Sequence, residues 1–166
     1  MEPAGFITDI LIPALSQGLV VTLQLIVLSA PFGLLLGIGI SLGRQYGGKN
    51  LSNICKLYVI FIKGCPLLLL LFILYFGLPS VGITLTAFAA SVIGFILCNA
   101  AYNSEYIRGA ILSVKDGQTI AAQALGMTKW QVIREVILPQ ALRRAIPGLS
   151  NEFIYLIKYS SLAYML

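Results

Sequence analysis

Long apolar runs, separated by short polar segments, make up most of this chain. Residues 18–42 contain no charge, and the runs at 57–79, 85–104 and 149–166 contain few charged residues. A helix that crosses a bilayer takes about 20 consecutive apolar residues, and each run is close to that length. The pattern predicts an all-α membrane protein with about four transmembrane helices, forming a single transmembrane domain over residues 1–166.

Basic residues are concentrated in two of the polar segments. Residues 43–56 carry Arg and Lys without any acid, and residues 105–147 carry more basic than acidic side chains. The chain before the first apolar run carries Glu2 and Asp9 but no Lys or Arg. Because cytoplasmic segments of membrane proteins are enriched in Lys and Arg, both basic segments are predicted to be cytoplasmic and the N-terminus to lie outside.

The two ends of the chain carry further signals. Residues 5–17 are mixed in polarity and too short to cross a bilayer, which predicts a short helix at the membrane interface. The last apolar run stops at Leu166 without a charged flank or a helix breaker. This is typical of a chain that continues into another helix, so a fifth transmembrane helix is expected beyond it.

Composition narrows the class of protein. Of the 166 residues, 58% are hydrophobic and only 10% are charged, against about 25% charged in soluble domains, which excludes a soluble globule and makes the lipid bilayer the main surroundings. The chain contains no histidine, which excludes imidazole acid–base catalysis and histidine-ligated metals. Because no nucleophile–base pair or metal cluster stands out, we expect neither an enzyme nor a nucleic-acid partner.

Two glycine pairs lie within or beside the first apolar run. Gly33 and Gly37 are four residues apart, as are Gly39 and Gly43. Small residues one helical turn apart allow another helix to approach closely. Both pairs therefore predict helix packing.

The most polar segment carries signals for two short helices joined by a tight bend. Asp116 is expected to cap the start of a helix over residues 117–125, and Gly126 is expected to end it in a left-handed conformation. A second helix is predicted to follow. From the pattern alone, this segment is as compatible with an amphipathic connector on the membrane as with a docking site for a partner.

The start of the second helix has its own signature. Thr128 and Gln131 have the spacing of a capping box, and Met127 and Val132 occupy the positions of a hydrophobic staple. Pro139 is expected to end or kink this helix.

Polar side chains recur on one face in each of the last two apolar runs, and they are the candidates for a substrate path. At helical spacing they form two stripes: Asn99, Tyr102, Asn103 and Tyr106 in one run, and Asn151, Glu152, Tyr155, Lys158 and Tyr159 in the other. Polar groups inside a membrane usually face protein or water, because facing lipid is costly. The stripes fit either a translocation path or hydrogen bonds and an ion pair that hold the helices together. An acid such as Glu152 facing a path would favour a cationic substrate.

Residues 117–162 resemble the conserved cytoplasmic loop, called the EAA loop, of a known family: the transmembrane permease subunits of binding-protein-dependent ABC importers for polar amino acids. Five positions fit its pattern, while Val136 stands in for an Ile and Ile120 replaces the Glu of the motif. The matching residues are Ala121, Ala122, Gly126, Leu138 and Pro139. Upstream, the tetrapeptide Lys63-Gly64-Cys65-Pro66 is similar to the family's Arg-Gly-Thr-Pro, and residues 100–111 are similar to its Ala-Tyr…Glu…Arg-Gly-Ala-Ile.

The resemblance implies a type I importer fold and a transport role in the inner membrane of a prokaryote. In the family this loop forms a coupling helix that docks on a cytoplasmic ATP-binding cassette subunit. The docking role would fall on Ile120, Ala121, Ala122, Gly126, Met127, Leu138 and Pro139. The expected partners are two ATP-binding subunits, a second permease chain that is identical or homologous, and an extracytoplasmic amino-acid-binding protein. ATP and Mg would be bound by the partner ATPase, and this chain would bind no cofactor.

An alternative from another class stays open. In an ion-gradient-driven secondary transporter or channel, Glu152 and Lys158 would carry ion or proton coupling, and no ATPase partner would be needed.

Overall fold

The computed structural model describes residues 3–166, with side chains from Gly5 onward, and contains no β-strand within that range. Glu2, which contributes to the predicted outside position of the N-terminus, lies beyond the described residues. Six continuous helices follow in order: α1 (3–46, made of Pro3–Phe6, Ile7–Leu11 and Ile12–Tyr46), α2 (Lys49–Gly64), α3 (Leu67–Val81), α4 (Ala87–Ser113), α5 (Asp116–Ala124) and α6 (129–163, made of Lys129–Gln131, Val132–Ile137 and Leu138–Ala163).

Helix α1 is longer at both ends than the first apolar run. It begins with an α-helical turn, Pro3–Phe6, passes through a π-helical turn, Ile7–Leu11, and continues without a break to Tyr46. Pro13 lies two residues after the π-helical turn, and the chain stays helical through it. The predicted separate interfacial helix is therefore wrong, and the predicted basic loop at 43–56 contracts to Gly47 and Gly48.

The second apolar run is a broken span. Helices α2 and α3 are long and apolar enough to cross a membrane only as a pair, and they are bent by 103° at the break between Gly64 and Leu67. The cause is local, because Pro66 disfavours helical geometry in the residue before it. Cys65 accordingly has extended backbone angles, φ −90° and ψ 124°.

Helix α4 lies at the centre of the packing, and α1 approaches it through the first glycine pair. A Cβ added to Gly37 would lie 2.8 Å from Cβ of Asn103, and one added to Gly33 would lie 3.0 Å from Cβ of Asn99. A Cβ on Gly39 would meet nothing within 4 Å. The first pair therefore forms a close helix contact, whereas the second pair does not act as a unit.

Helix α6 continues through Pro139. Of the two predicted outcomes, an end or a kink at this proline, the first is therefore wrong. A π-helical segment, Val132–Ile137, precedes the proline. In a π-helical turn each N–H donates to the carbonyl group five residues back instead of four. The N–H that Pro139 lacks therefore leaves no carbonyl group of the preceding turn without a donor.

By length, hydropathy and charge, α1 and α4 can each cross a membrane, and the α2–α3 pair makes up to three spans. Helix α6 holds most of the fourth predicted span, 149–166, but it is not among the helices that are long and apolar enough to cross a membrane. It packs instead on α4 and α1, where Leu156 joins a buried cluster with Leu25 and Phe95. A helix enclosed by protein on one side tolerates more polar residues than one surrounded by lipid.

Candidate functional site

The bend between α5 and α6 is built on Gly126. Its φ of +81° lies in the left-handed region, where glycine carries no steric penalty. The Gly126 N–H donates to the carbonyl of Gln123 at 2.9 Å, and the Met127 N–H donates to the carbonyl of Ala122 at 3.2 Å. These two bonds define a Schellman motif, which confirms the predicted end of the first helix. Its predicted start is off by one: Lys115 holds the capping position without a side-chain bond, and Asp116 is the first helical residue.

The start of α6 follows the prediction. The Thr128 N–H donates to Oε1 of Gln131 at 2.7 Å, and the Thr128 hydroxyl accepts from the Gln131 N–H, which completes the capping box. Met127 packs on the buried cluster that contains Val132, as expected of a hydrophobic staple. The direction in which the chain leaves the bend is thus fixed by short-range contacts.

Side-chain packing holds α5 against the first part of α6. Ala122 is 5% exposed and lies in one cluster with Val132 and Ile137. Gln140 donates to Oε1 of Gln118 at 3.3 Å, which adds a polar link between the two helices. Ala122 consequently faces α6 and leaves no free surface for a partner.

Three large apolar side chains project from the bend into solvent. Ile120 is 66% exposed, Leu125 is 84% exposed and Trp130 is 67% exposed. We call these three residues the bend surface. Sequence reasoning identified Ile120 through its departure from the family motif but missed the other two. The signal available in the sequence was that both are large apolar residues in the most polar segment of the chain.

The other predicted docking residues surround the bend surface. Ala121, Gly126 and Pro139 are exposed, while Met127 and Leu138 are half-buried. The bend therefore combines a rigid internal face with an apolar outer face.

An ionic network, which sequence reasoning missed, ties α1 to α4. Arg44 donates to Oε1 of Glu105, and Arg108 donates to Oε2 of the same carboxylate at 3.0 Å. The i,i+3 spacing of Glu105 and Arg108 is visible in the sequence, but Arg44 is far away along the chain. Nearby, Arg144 of α6 donates to the carbonyl and the hydroxyl of Ser113 at the end of α4. These contacts join α1 and the middle of α6 to the last part of α4.

The α4 stripe lies partly inside the protein. Asn103 donates to Oδ1 of Asn99 at 2.7 Å, and both are buried. Oδ1 of Asn103 is the one buried side-chain polar atom in the described part of the chain that lacks a hydrogen-bond partner. A cavity of about 80 Å³ reaches both residues. Tyr102 is half-buried under the ammonium group of Lys63, 5.2 Å from its ring centroid.

The α6 stripe is divided between two environments. Glu152 is 5% exposed and lines one pocket with Asn99 and Tyr159. The other candidates, Asn151, Tyr155 and Lys158, are exposed. Among residues 5–166, no group of three or more His, Cys, Asp or Glu side chains could hold a metal ion.

Comparison with known proteins assigns the chain to a family. Residues 29–166 match the model of the binding-protein-dependent transport system inner membrane component. The chain belongs to this family. It is therefore a multi-pass inner-membrane permease of the ABC importer type, and the resemblance found in the sequence is confirmed.

Curated relatives of the permease come from amino-acid transport systems. The probable amino-acid ABC transporter permease protein YckA of Bacillus subtilis is 46% identical over 93% of this chain and 68% of its own length. The L-cystine transport system permease protein TcyB of the same organism is 45% identical, over 91% and 64%. The glutamine transport system permease protein GlnP of Escherichia coli is 37% identical, over 91% and 70%. This permease thus spans about two thirds of these relatives.

Solved structures give the same fold. The permease superposes on a chain of an amino acid ABC transporter crystallised with histidines, with TM-score 0.84 and 37% identity, covering 92% of this chain and 72% of that one. The MetNI methionine ABC transporter in an inward-facing conformation matches with TM-score 0.75 at 24% identity, covering 88% and 71%. The predicted fold class, an all-α ABC importer permease, is confirmed.

Proposed function

We propose that the permease moves a polar amino acid across the cytoplasmic membrane and is driven by ATP binding and hydrolysis in a partner subunit that docks on the bend surface. The observation that carries this proposal is the exposure of Ile120, Leu125 and Trp130 on a bend whose inner face is packed. Exposed apolar clusters rimmed by polar residues are typical of protein interaction sites.

Docking at this surface is apolar in character. Ile120 stands where the family motif has Glu, so an ionic contact at that position is absent. Full burial of a large apolar side chain contributes about 1.5–3 kcal/mol. Two or three such anchors are enough for a stable contact with a complementary apolar cleft of the ATPase.

Force applied to the bend reaches the membrane helices through packed contacts. Because Ala122 packs against Val132 and Ile137, α5 and the start of α6 move together. Helix α6 continues without interruption to the membrane part of the chain, and Arg144 links it to the end of α4. Closure of two ATPase subunits on ATP would thus pull α6 and shift the population from an inward-open to an outward-open state.

The substrate path would lie along the polar stripes of α4 and α6. Its proposed residues are Asn99, Tyr102, Asn103, Asn151, Glu152, Tyr155 and Lys158. An amino-acid substrate is supported by the names of the relatives, among them cystine and glutamine systems. ATP and Mg would be bound in the ATPase, not by this chain.

The proposed assembly contains two permease chains, identical or homologous, two ATP-binding subunits and an extracytoplasmic amino-acid-binding protein. Its proposed orientation places the bend in the cytoplasm, with the N-terminus outside, in agreement with the positive-inside rule. Lys115, Lys129 and Arg134, which lie beside the bend, are consistent with this side.

Co-purification tests the docking proposal. The permease is co-expressed with the ATP-binding subunit encoded nearest to it, and the complex is isolated in detergent. A complex of two permeases with two ATPases supports a homodimer, while one permease with two ATPases indicates that a second, different permease is needed. Failure of the folded chain to associate would contradict the proposal.

Transport in vesicles separates ATP-driven from gradient-driven function. Uptake by the assembled transporter should require internal ATP and be insensitive to collapse of ion gradients. Uptake that needs only an ion gradient would instead support the alternative in which Glu152 and Lys158 provide coupling.

A further inference from the structure

Helix α2 carries a row of lysines along one side. Lys49, Lys56 and Lys63 are seven residues apart, and residues at this spacing lie within about 20° of one another on an α-helix. Nζ of Lys63 lies over the ring of Tyr102, 5.2 Å from its centroid. Lys49 and Lys56, which we call the lysine pair, are exposed and take part in none of the ion pairs found among the described residues. The ammonium groups of the lysine pair are therefore available to a ligand.

No acid on α2 balances the lysine pair. The sequence of this helix contains neither Asp nor Glu. Glu105, the acid that contacts the last part of α1, is already held by the guanidinium groups of Arg44 and Arg108. Positive charge is therefore in excess at this end of the molecule, and it favours an anionic ligand.

Contacts with α1 give the level of the lysine pair relative to the membrane. A Cβ on Gly43 would lie 3.0 Å from Sγ of Cys55, and Ile40 shares a buried cluster with Val59. Helix α2 thus runs back antiparallel along the last part of α1. Lys56 directly follows Cys55 in the sequence, so it is level with the point at which the uncharged run of α1 ends. Because that run matches the hydrocarbon core of a bilayer, the lysine pair lies at the level of the lipid headgroups.

An exposed apolar face lies beside the lysine pair on the same helix. Leu57 is 68% exposed, Ile60 is 59% exposed and Phe61 is 65% exposed. At 100° per residue, these three side chains lie on the side of α2 opposite the buried Val59 and Ile62. A helix with basic residues beside an exposed apolar face is typical of binding to anionic lipid. A soluble acidic partner would match the charge alone.

We infer that the lysine pair binds the phosphate of an anionic phospholipid headgroup, whose acyl chains lie along Leu57, Ile60 and Phe61. The ammonium groups donate charge-assisted hydrogen bonds to phosphate oxygens. The two lysines are about 10 Å apart along the helix axis, and their long flexible side chains can converge on one headgroup. A neutral phosphatidylcholine headgroup carries its own ammonium group, which opposes the lysines. This inference does not depend on docking of an ATPase.

Lipid titration of the detergent-solubilised permease tests this inference. Native mass spectrometry counts the molecules of added phosphatidylglycerol or phosphatidylcholine, with identical acyl chains, that stay bound in a neutral detergent. Each lysine near an anionic headgroup strengthens binding about fivefold, so the permease should prefer phosphatidylglycerol about thirtyfold. Raising NaCl from about 0.1 M to about 1 M should remove most of this preference, because the screening length falls from about 10 Å to about 3 Å.

Matched variants assign the preference to the lysine pair. Lys49→Gln/Lys56→Gln should bind the two lipids equally, whereas Lys49→Arg/Lys56→Arg should keep the preference, since a guanidinium group also donates to phosphate. Lys115→Gln/Lys129→Gln removes two exposed lysines beside the bend and changes the net charge by the same amount, and it should keep the preference. Glycerol 3-phosphate, which offers a phosphate without acyl chains, should not displace phosphatidylglycerol.

Three results would overturn the inference. Equal binding of the two lipids by the unmodified permease would leave the lysine pair to an acidic protein surface. A preference that survives in Lys49→Gln/Lys56→Gln, or that Lys115→Gln/Lys129→Gln loses equally, would assign it to net charge. Displacement by glycerol 3-phosphate would make the site one for free phosphate. Equal melting temperatures of all variants before lipid is added show that each comparison is made on folded protein.

Discussion

Replacement of Gly37 by Ala tests the packing that brings α1 onto α4. The added Cβ would lie 2.8 Å from Cβ of Asn103, 3.1 Å from the carbonyl of Ala100 and 3.3 Å from the backbone nitrogen of Ser104. Two of these three neighbours are backbone atoms, which cannot move without displacing the helix. Overpacking of this kind typically costs about 1–3 kcal/mol.

Gly39→Ala is the matched control, because it adds the same atom to the same helix where nothing lies within 4 Å. Both variants gain the higher helix propensity of alanine, worth about 1 kcal/mol. The difference between them therefore isolates the clash. At about 2–4 °C per kcal/mol for a chain of this size, Gly37→Ala should melt about 2–12 °C below Gly39→Ala.

The measurement is a thermal shift of the detergent-solubilised permease with a thiol-reactive dye. Cys98 is 8% exposed and lies on α4. With the half-buried Cys55 and Cys65 replaced by Ser in every variant, reaction of Cys98 with the dye reports the unfolding of the chain around α4. Equal melting temperatures, or a higher one for Gly37→Ala, would refute the argument that these glycines hold the two helices together.

Three further predictions concern the bend and its surroundings. Leu125→Ser should weaken association with the ATPase about tenfold to 150-fold, because about 1.5–3 kcal/mol of apolar burial is lost. Val81→Ser, at a residue that is 71% exposed but lies away from the bend, should leave the association unchanged. Surface plasmon resonance measures the affinity of both variants. Gly126→Asp places a side chain on a residue with φ +81°, where it is strained. Because the bend is distorted, we expect normal membrane insertion but loss of substrate-stimulated ATP hydrolysis. Stimulation at the normal level would contradict the coupling role of the bend. Glu105→Gln should lower the stability of the permease by about 1–3 kcal/mol, because it leaves partly buried guanidinium groups unpaired. Glu135→Gln, which removes an ion pair exposed at both partners, should cost at most about 1 kcal/mol. The melting temperatures of the two variants test this difference.

Local signals in the sequence located the bend correctly because their causes are local. The left-handed glycine, the capping box and the staple each depend on residues within a few positions of one another. Prediction from local signals was less successful where a helix-breaking residue follows a segment that can accommodate it. Pro139 was expected to end or kink the helix, and α6 does not end there but continues after a π-helical segment.

The candidate path shows the limit of periodicity. Spacing placed Glu152 and Lys158 on one broad face, and the structure separates them, with the acid buried and the lysine exposed. The outcome depends on where α4 packs against α6, and on the position of Lys63, which comes from the distant α2–α3 break. Neither is encoded in the local spacing.

By itself, the sequence determined the all-helical membrane class, the apolar runs, the family and the geometry of the bend, since hydropathy, charge and turn chemistry are properties of single residues or close neighbours. Only the tertiary structure decided that Leu125 and Trp130 are exposed, that Arg44 joins Glu105, and that Lys63 of α2 lies over the ring of Tyr102 of α4. The physical reason is that such contacts depend on how separate helices cross, and helix crossing is settled by packing over the whole chain.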